Sequence, residues 1–102
     1  MLLAFAVAPT TTSSAEGAVT SAVARAVKIV RESGLPYETT SMFTTIEGEW
    51  DEVMSVVKAA TDAVAEVSPR VSLVIKADIR AGRSDEMHGK LERLESAFAE
   101  LD

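Results

Sequence analysis

The stretch Val71-Ser-Leu-Val-Ile-Lys-Ala-Asp-Ile-Arg80 decides how this chain folds. Its residues alternate: Val71, Leu73, Ile75, Ala77 and Ile79 fall on one side, and Ser72, Val74, Lys76, Asp78 and Arg80 on the other. Period two is the signature of a β-strand, here with one face for a core and a largely polar opposite face. The pattern changes on both sides of it. Upstream, Trp50, Val53, Met54, Val57, Ala60, Val64 and Val67 recur at helical spacing, with Trp50 expected to open a core stripe. Glu49, Asp51 and Glu52 sit in the first turn, where the helix dipole favours negative charge, and Ser68-Pro69 closes the segment. Downstream, Met87, Leu91, Leu94, Phe98 and Leu101 predict a last helix from Asp85 to Leu101.

The first half of the chain repeats this alternation of strand and helix. Leu2 to Ala8 is a short apolar run, with Leu3, Phe5 and Val7 on one face and Ala4, Ala6 and Ala8 on the other. Ala6-Val7-Ala8 imitates a signal-peptidase site, yet no Lys or Arg precedes the run and it is short for a leader, so a first strand and a cytoplasmic location are expected. A polar turn follows, and Ser13 with Glu16 has capping-box spacing. Val19, Ala22, Val23, Ala26, Val27 and Val30 then form one apolar helical stripe. Gly34 supplies the left-handed stop and Pro36 forbids continuation. Tyr37 to Glu47, rich in Thr and aromatic residues, reads as two strands with a turn near Met42 to Thr44.

The predicted order is strand, helix, strand, strand, helix, strand, with a terminal helix added. That is an α+β class, a ferredoxin-like βαββαβ sandwich in which both crossover helices cover one face of an antiparallel sheet. At 102 residues the chain is one domain, residues 1–102. The uncovered sheet face carries small apolar residues over several strands, so a homodimer or homotetramer is expected, with the terminal helix as a second contact.

Composition removes several function classes. The net charge is −6, with 16 acidic against 10 basic residues, which disfavours nucleic acid because phosphate binding needs a basic patch. No apolar run reaches the roughly 18–20 residues of a membrane span. Without cysteine and with His88 as the lone histidine, thiolate chemistry and zinc clusters are excluded. His88 is expected on the solvated surface, and no phosphate-cradling glycine loop, GxSxG or HExxH motif occurs. What remains is polar groups on strands: Lys76, Asp78 and Arg80 on one side of the last strand, and Thr39, Ser41, Thr45 and Glu47 on the hairpin. Lys76 with Asp78 reads most simply as a surface pair, and the threonines as β-formers.

Several segments in order carry a resemblance: Val7-Ala8-Pro9 before a Thr-rich run, Tyr37-Glu38, Met42-Phe-Thr-Thr-Ile-Glu-Gly48, Asp51-Glu-Val-Met54, and Arg70-Val71 through Lys76-Ala-Asp-Ile-Arg80. Together they resemble the small thiamine-binding protein family, over nearly the whole chain. The resemblance implies a ferredoxin-like fold, assembly into dimers or tetramers through sheets and terminal helices, and binding of thiamine or its hydroxymethylpyrimidine moiety without catalysis or a cofactor. Within the matching segments the candidate ligand residues are Ser41, Phe43, Thr44, Thr45, Glu47, Lys76, Asp78 and Arg80. An aminopyrimidine offers ring-nitrogen acceptors and an amine donor, so Glu47 and Asp78 are the acceptor candidates and the hydroxyls can serve either way. A cationic thiazolium suits a net-acidic protein, with Phe43, Tyr37 or Met42 as its wall. Lys76 and Arg80 suit an anion, such as the phosphate of a thiamine phosphate. The expected role is a cytoplasmic carrier or sensor. The alternatives are a small regulatory domain for another metabolite or a protein partner, and, third, an enzyme using Lys76, Asp78 and a hydroxyl.

Overall fold

Seven elements follow the predicted order: β1 (Leu2–Pro9), α1 (Glu16–Glu32), β2 (Tyr37–Thr39), β3 (Thr44–Glu47), α2 (Trp50–Ala65), β4 (Val71–Asp78) and α3 (Glu86–Glu100). The computed structural model describes residues 1–10, 16–80 and 86–101. The sheet has four strands in the order β2-β3-β1-β4, every neighbouring pair antiparallel. This is the ferredoxin-like arrangement with an added helix. The capping box expected at Ser13 lies outside the described residues.

β1 occupies the centre of the sheet because it can pair on both sides. Leu2 to Phe5 align with Glu47 to Thr44, and Leu2 to Pro9 align with Asp78 to Val71. Its alternation then sorts the residues: Leu3, Phe5 and Val7 are buried against the helices, while Ala4, Ala6 and Ala8 lie on the opposite face. Both ends of the strand are tied. At the start, Met1 and Gly48 exchange backbone bonds, the Met1 ammonium donating to Gly48 O at 3.0 Å and Gly48 N–H to Met1 O at 3.1 Å. At the far end Thr10 N–H and its hydroxyl both donate to Arg70 O, at 2.9 and 3.0 Å.

The helices complete one core. Ala22, Ala26 and Val30 from α1 meet Val53, Val57, Ala60 and Val64 from α2 over Leu3, Phe5, Val7 and Ile46. Alanine at the crossing positions allows the helix backbones to approach each other closely, as interior packing density requires. α1 stops at Gly34, whose φ of +83° is the left-handed conformation that glycine adopts without Cβ strain. α2 starts on a capping box: Glu49 N–H donates to Glu52 Oε1 at 3.1 Å, and the Glu49 side chain accepts from the backbone of Glu52. Gly48 before it is a close approach, since a Cβ there would sit 3.2 Å from Val53 Cγ2 and 3.3 Å from Leu35 Cδ2.

Four expectations are corrected. Trp50 is 55% exposed instead of core; it is the first residue of α2, level with the end of the sheet, so the buried stripe begins at Val53. Val67, placed in the same stripe, lies beyond the end of α2 and is exposed. The hairpin turn spans Thr40 to Phe43, earlier than the sequence suggested, because the Thr40 side chain closes it. β4 ends at Asp78 rather than continuing to Arg80, and its core-facing side is left open: Leu73 and Ile75 are 39% and 40% exposed, and Ile79, past the strand, 66%. The reason is position. β4 is an edge strand, and both crossover helices pack over β1. Along α3, Met87 is buried but Leu91, Leu94, Phe98 and Leu101 are exposed.

Ile46, fully buried on β3, and Trp50 provide a contrast in urea denaturation. Ile46→Ala is expected to lose about 2–5 kcal/mol of stability, and Trp50→Ala about 1 kcal/mol or less.

Candidate functional site

A cleft of 260 Å³ lies where the β2–β3 hairpin, the second half of β1 and the middle of α1 meet. Its floor is apolar, from Phe5, Val7, Val23, Ala26 and Val27, and its outer wall is the continuous segment Thr39 to Thr44. The wall is held by chemistry internal to the turn. Thr40 N–H donates to Phe43 O at 2.9 Å, and the Thr40 hydroxyl accepts from Met42 and Phe43 N–H at 3.4 and 3.3 Å. That leaves Thr39, Ser41 and Thr44 as the hydroxyls for a ligand, with the Oγ1 atoms of Thr39 and Thr44 3.4 Å apart. Thr44 is buried, Phe43 half-buried, and Met42 72% exposed at the lip. Among the described residues, none that lines it carries a charge. An apolar floor with a few convergent hydroxyls suits one small flat ring.

The sequence candidates separate into two groups. Ser41, Phe43 and Thr44 line the cleft. Thr45 and Glu47 do not, and neither do Lys76 and Asp78: the register sets Thr45 and Lys76 on either side of Ala4, and Glu47 and Asp78 on either side of Leu2. That is the sheet face away from the crossover helices, and Arg80 lies past the end of the same strand. Adjacent strand residues point oppositely, so Thr44 and Thr45 cannot serve one site.

Both carboxylates nominated as ligand acceptors are already engaged. Glu47, buried on β3, accepts from the backbone N–H of Glu86 at 2.6 Å through Oε2 and of Met87 at 3.2 Å through Oε1. It therefore receives the first amides of α3, the end of a helix that favours an anion. The Glu86 carboxylate, also buried, pairs with Arg93 at 3.0 Å. Asp78 pairs with Lys90 of α3 instead of forming the expected surface pair with Lys76 along the same strand. The hydrogen bond and charge of Lys90 hold the Asp78 carboxyl below its ordinary range, with smaller contributions from Arg80 and Lys76. The role of Glu47 had no local signal, because its partners are 39 and 40 residues away in the chain. The floor contributed by Val23 and Val27 was equally hidden, since both read only as members of a core stripe. Among the described residues no group of His, Asp or Glu is arranged to hold a metal ion. His88 is exposed, on the first turn of α3.

Comparison with known proteins adds a family. Residues 3–95 match the family model described as thiamine-binding protein. A UPF0045 protein of Mycobacterium bovis is 47% identical over 96 residues, spanning 93% of this chain and 91% of that protein. Among solved structures, a domain of unknown function from Bacillus cereus is similar with a TM-score of 0.73 and 31% identity, covering 84% of this chain and 83% of the other. A Thermotoga maritima protein, provisionally named for thiamine biosynthesis or salvage, has a TM-score of 0.72 and 25% identity, covering 89% and 96%. A hypothetical protein of Methanocaldococcus jannaschii shares the fold at a TM-score of 0.80 and 24% identity, covering 92% and 94%.

Two measurements check the assigned roles of the carboxylates. Glu47→Ala leaves two buried amides without their acceptor and is expected to cost about 1–3 kcal/mol, with faster hydrogen exchange at Glu86 and Met87. For Asp78 the folded carboxyl titrates below its unfolded value. Its contribution is thus present above the unfolded pKa and is lost as pH falls through the folded one. Lys90→Met is expected to move the Asp78 titration upward by NMR and to flatten the acid limb of the stability curve.

Proposed function

The chain belongs to the thiamine-binding protein family, and from that premise we propose that it binds thiamine, or the hydroxymethylpyrimidine moiety of thiamine, and releases it chemically unchanged. The observation that carries the reading is the coincidence of the family match with the cleft: the hairpin segment quoted for the resemblance, from Met42 onward, forms part of the wall of a cleft in which hydroxyls converge on an apolar floor. The aminopyrimidine ring sits between Phe43 and the floor. Its donor and acceptors meet the hydroxyls of Thr44, Thr39 and Ser41, each of which can donate or accept. Those hydroxyls take over the role the sequence had given to Glu47 and Asp78, whose oxygens are held by α3.

The cationic thiazolium lies toward the lip, beside Met42 and the face of Phe43. Cation–π attraction contributes about 0.5–2 kcal/mol there, and the net charge of −6 favours a cation over an anion. Lys76 stands on the opposite sheet face and Arg80 past the end of β4, and neither lines the cleft, so a phosphate group gains nothing from them there. The protein acts as a carrier or sensor in the cytoplasm. No helix among the described residues is long and apolar enough to cross a membrane.

The test is a thermal-shift and calorimetry series with thiamine, hydroxymethylpyrimidine and thiamine phosphate. Ligand at about 100 times its Kd stabilises the folded state by about 2.7 kcal/mol, expected to raise Tm by roughly 10 °C or more. Phe43→Ala and Thr44→Val should each weaken binding about tenfold, with ligand recovered unchanged by mass spectrometry. Absence of saturable binding at millimolar concentration of all three compounds overturns the reading, and a shift with an unrelated metabolite alone favours a different regulatory domain.

A further inference from the structure

The cleft does not end at α1. Val23 and Val27, part of its floor, also line a second and more open hollow of 330 Å³ on the outer flank of that helix, together with Thr20, Ala24, Lys28 and Arg31. The two spaces thus adjoin across one low ridge of two valines. The flank is open for a topological reason. α1 turns Ala22, Ala26 and Val30 into the core, and β2, the edge strand on that side, has only three residues. On β2 the register pairs Tyr37 with buried Ile46 and Thr39 with buried Thr44, so both stand on the helix side of the sheet. Thr39 belongs to the cleft wall, and Tyr37 stays 41% exposed.

The far end of the hollow is basic, in a chain whose net charge is −6. Lys28 follows Val27 directly, and Arg31 lies one turn beyond Val27, about 6 Å along the helix axis. Three residues apart, the two side chains are neighbours on the helix surface. Neither is committed to the fold. Among the described residues Arg31 has no ion pair. Lys28 approaches Glu32 at 3.8 Å with both side chains exposed, a loose contact that a stronger anion displaces. Lys58 and Arg93, by contrast, are held by carboxylates at 2.7 and 3.0 Å. A cation in the last turn of α1 answers the helix dipole. That accounts for one base and leaves the second, with the apolar hollow leading to both, to be explained.

Given the ring-binding cleft proposed above, on which this rests, we propose that the cleft and the hollow form one extended site whose ligand carries a phosphate monoester. The ring lies in the cleft, the ester linkage crosses Val23 and Val27, and the phosphate reaches Lys28 and Arg31. A planar guanidinium binds two phosphate oxygens at once, and an ammonium donates to a third. The excess of acids elsewhere in the chain opposes this only weakly, because exposed charges more than about 8 Å apart are screened at physiological ionic strength. Both cations, in contrast, meet the anion directly. The phosphate that the sequence suggested for Lys76 and Arg80 thus falls to two residues of α1.

The test is calorimetric titration of thiamine and hydroxymethylpyrimidine, each beside its own phosphate monoester. At least one monoester is expected to bind about five- to tenfold tighter than its parent alcohol, with the advantage shrinking in high salt. Lys28→Gln with Arg31→Gln should remove that advantage and leave the affinity for the alcohols unchanged, since neither residue lines the cleft. Both side chains are exposed, so the fold tolerates the change. Phe43→Ala should instead weaken alcohol and monoester alike. Monoesters that bind no tighter than the alcohols overturn the extended site and leave the cleft's function standing, and so does an advantage that survives the double substitution. Absence of binding by all of these compounds overturns the function proposed for the cleft, and the extended site with it.

Discussion

The double pairing of β1 is the constraint on which the rest of the molecule depends. An eight-residue strand hydrogen-bonded on both sides cannot shift by one residue without turning Leu3, Phe5 and Val7 out of the core and Ala4, Ala6 and Ala8 into it. That fixed register places Thr44 opposite Phe5, and so sets the hairpin wall above the apolar floor. It also places Glu47 and Asp78 on either side of Leu2, from where they hold α3. Cleft and helix anchor are consequently built from the two ends and two faces of the same pair of strands.

Charge is distributed according to that geometry. The buried carboxylate of Glu47 is tolerated because two helix amides supply its hydrogen bonds, and buried Glu86 because Arg93 reaches it. The strand carboxylates Glu47 and Asp78 therefore serve architecture. The cleft is left with hydroxyls, which are less demanding to bury and can reverse their hydrogen-bond direction.

The fold was legible in the sequence because its determinants are periodic and local. Alternation in Leu2 to Ala8 and Val71 to Asp78, the stripes of both crossover helices, and the stop at Gly34 each report a nearby cause. Where the expectation failed, the cause was not local. Trp50 matches a helical stripe by spacing, yet α2 starts at the edge of the core, which spacing does not report. β4 shows a fine amphipathic alternation, but no sequence pattern says that a strand lies at an edge and that the covering helices stop short of it. The site was half legible. Composition and order pointed to the hairpin, while the partners of Glu47 and Asp78, and the α1 residues under the cleft, come together only through the fold.

A last consequence concerns the absence of any ionisable side chain among the described residues that line the cleft. None of those described residues gains or loses a proton near neutrality, so under the proposed function their part in the recognition is the same in mildly acidic and mildly basic solution. Any variation of affinity with pH in that range belongs to the protonation of the bound molecule itself, and its midpoint would identify the ring that titrates.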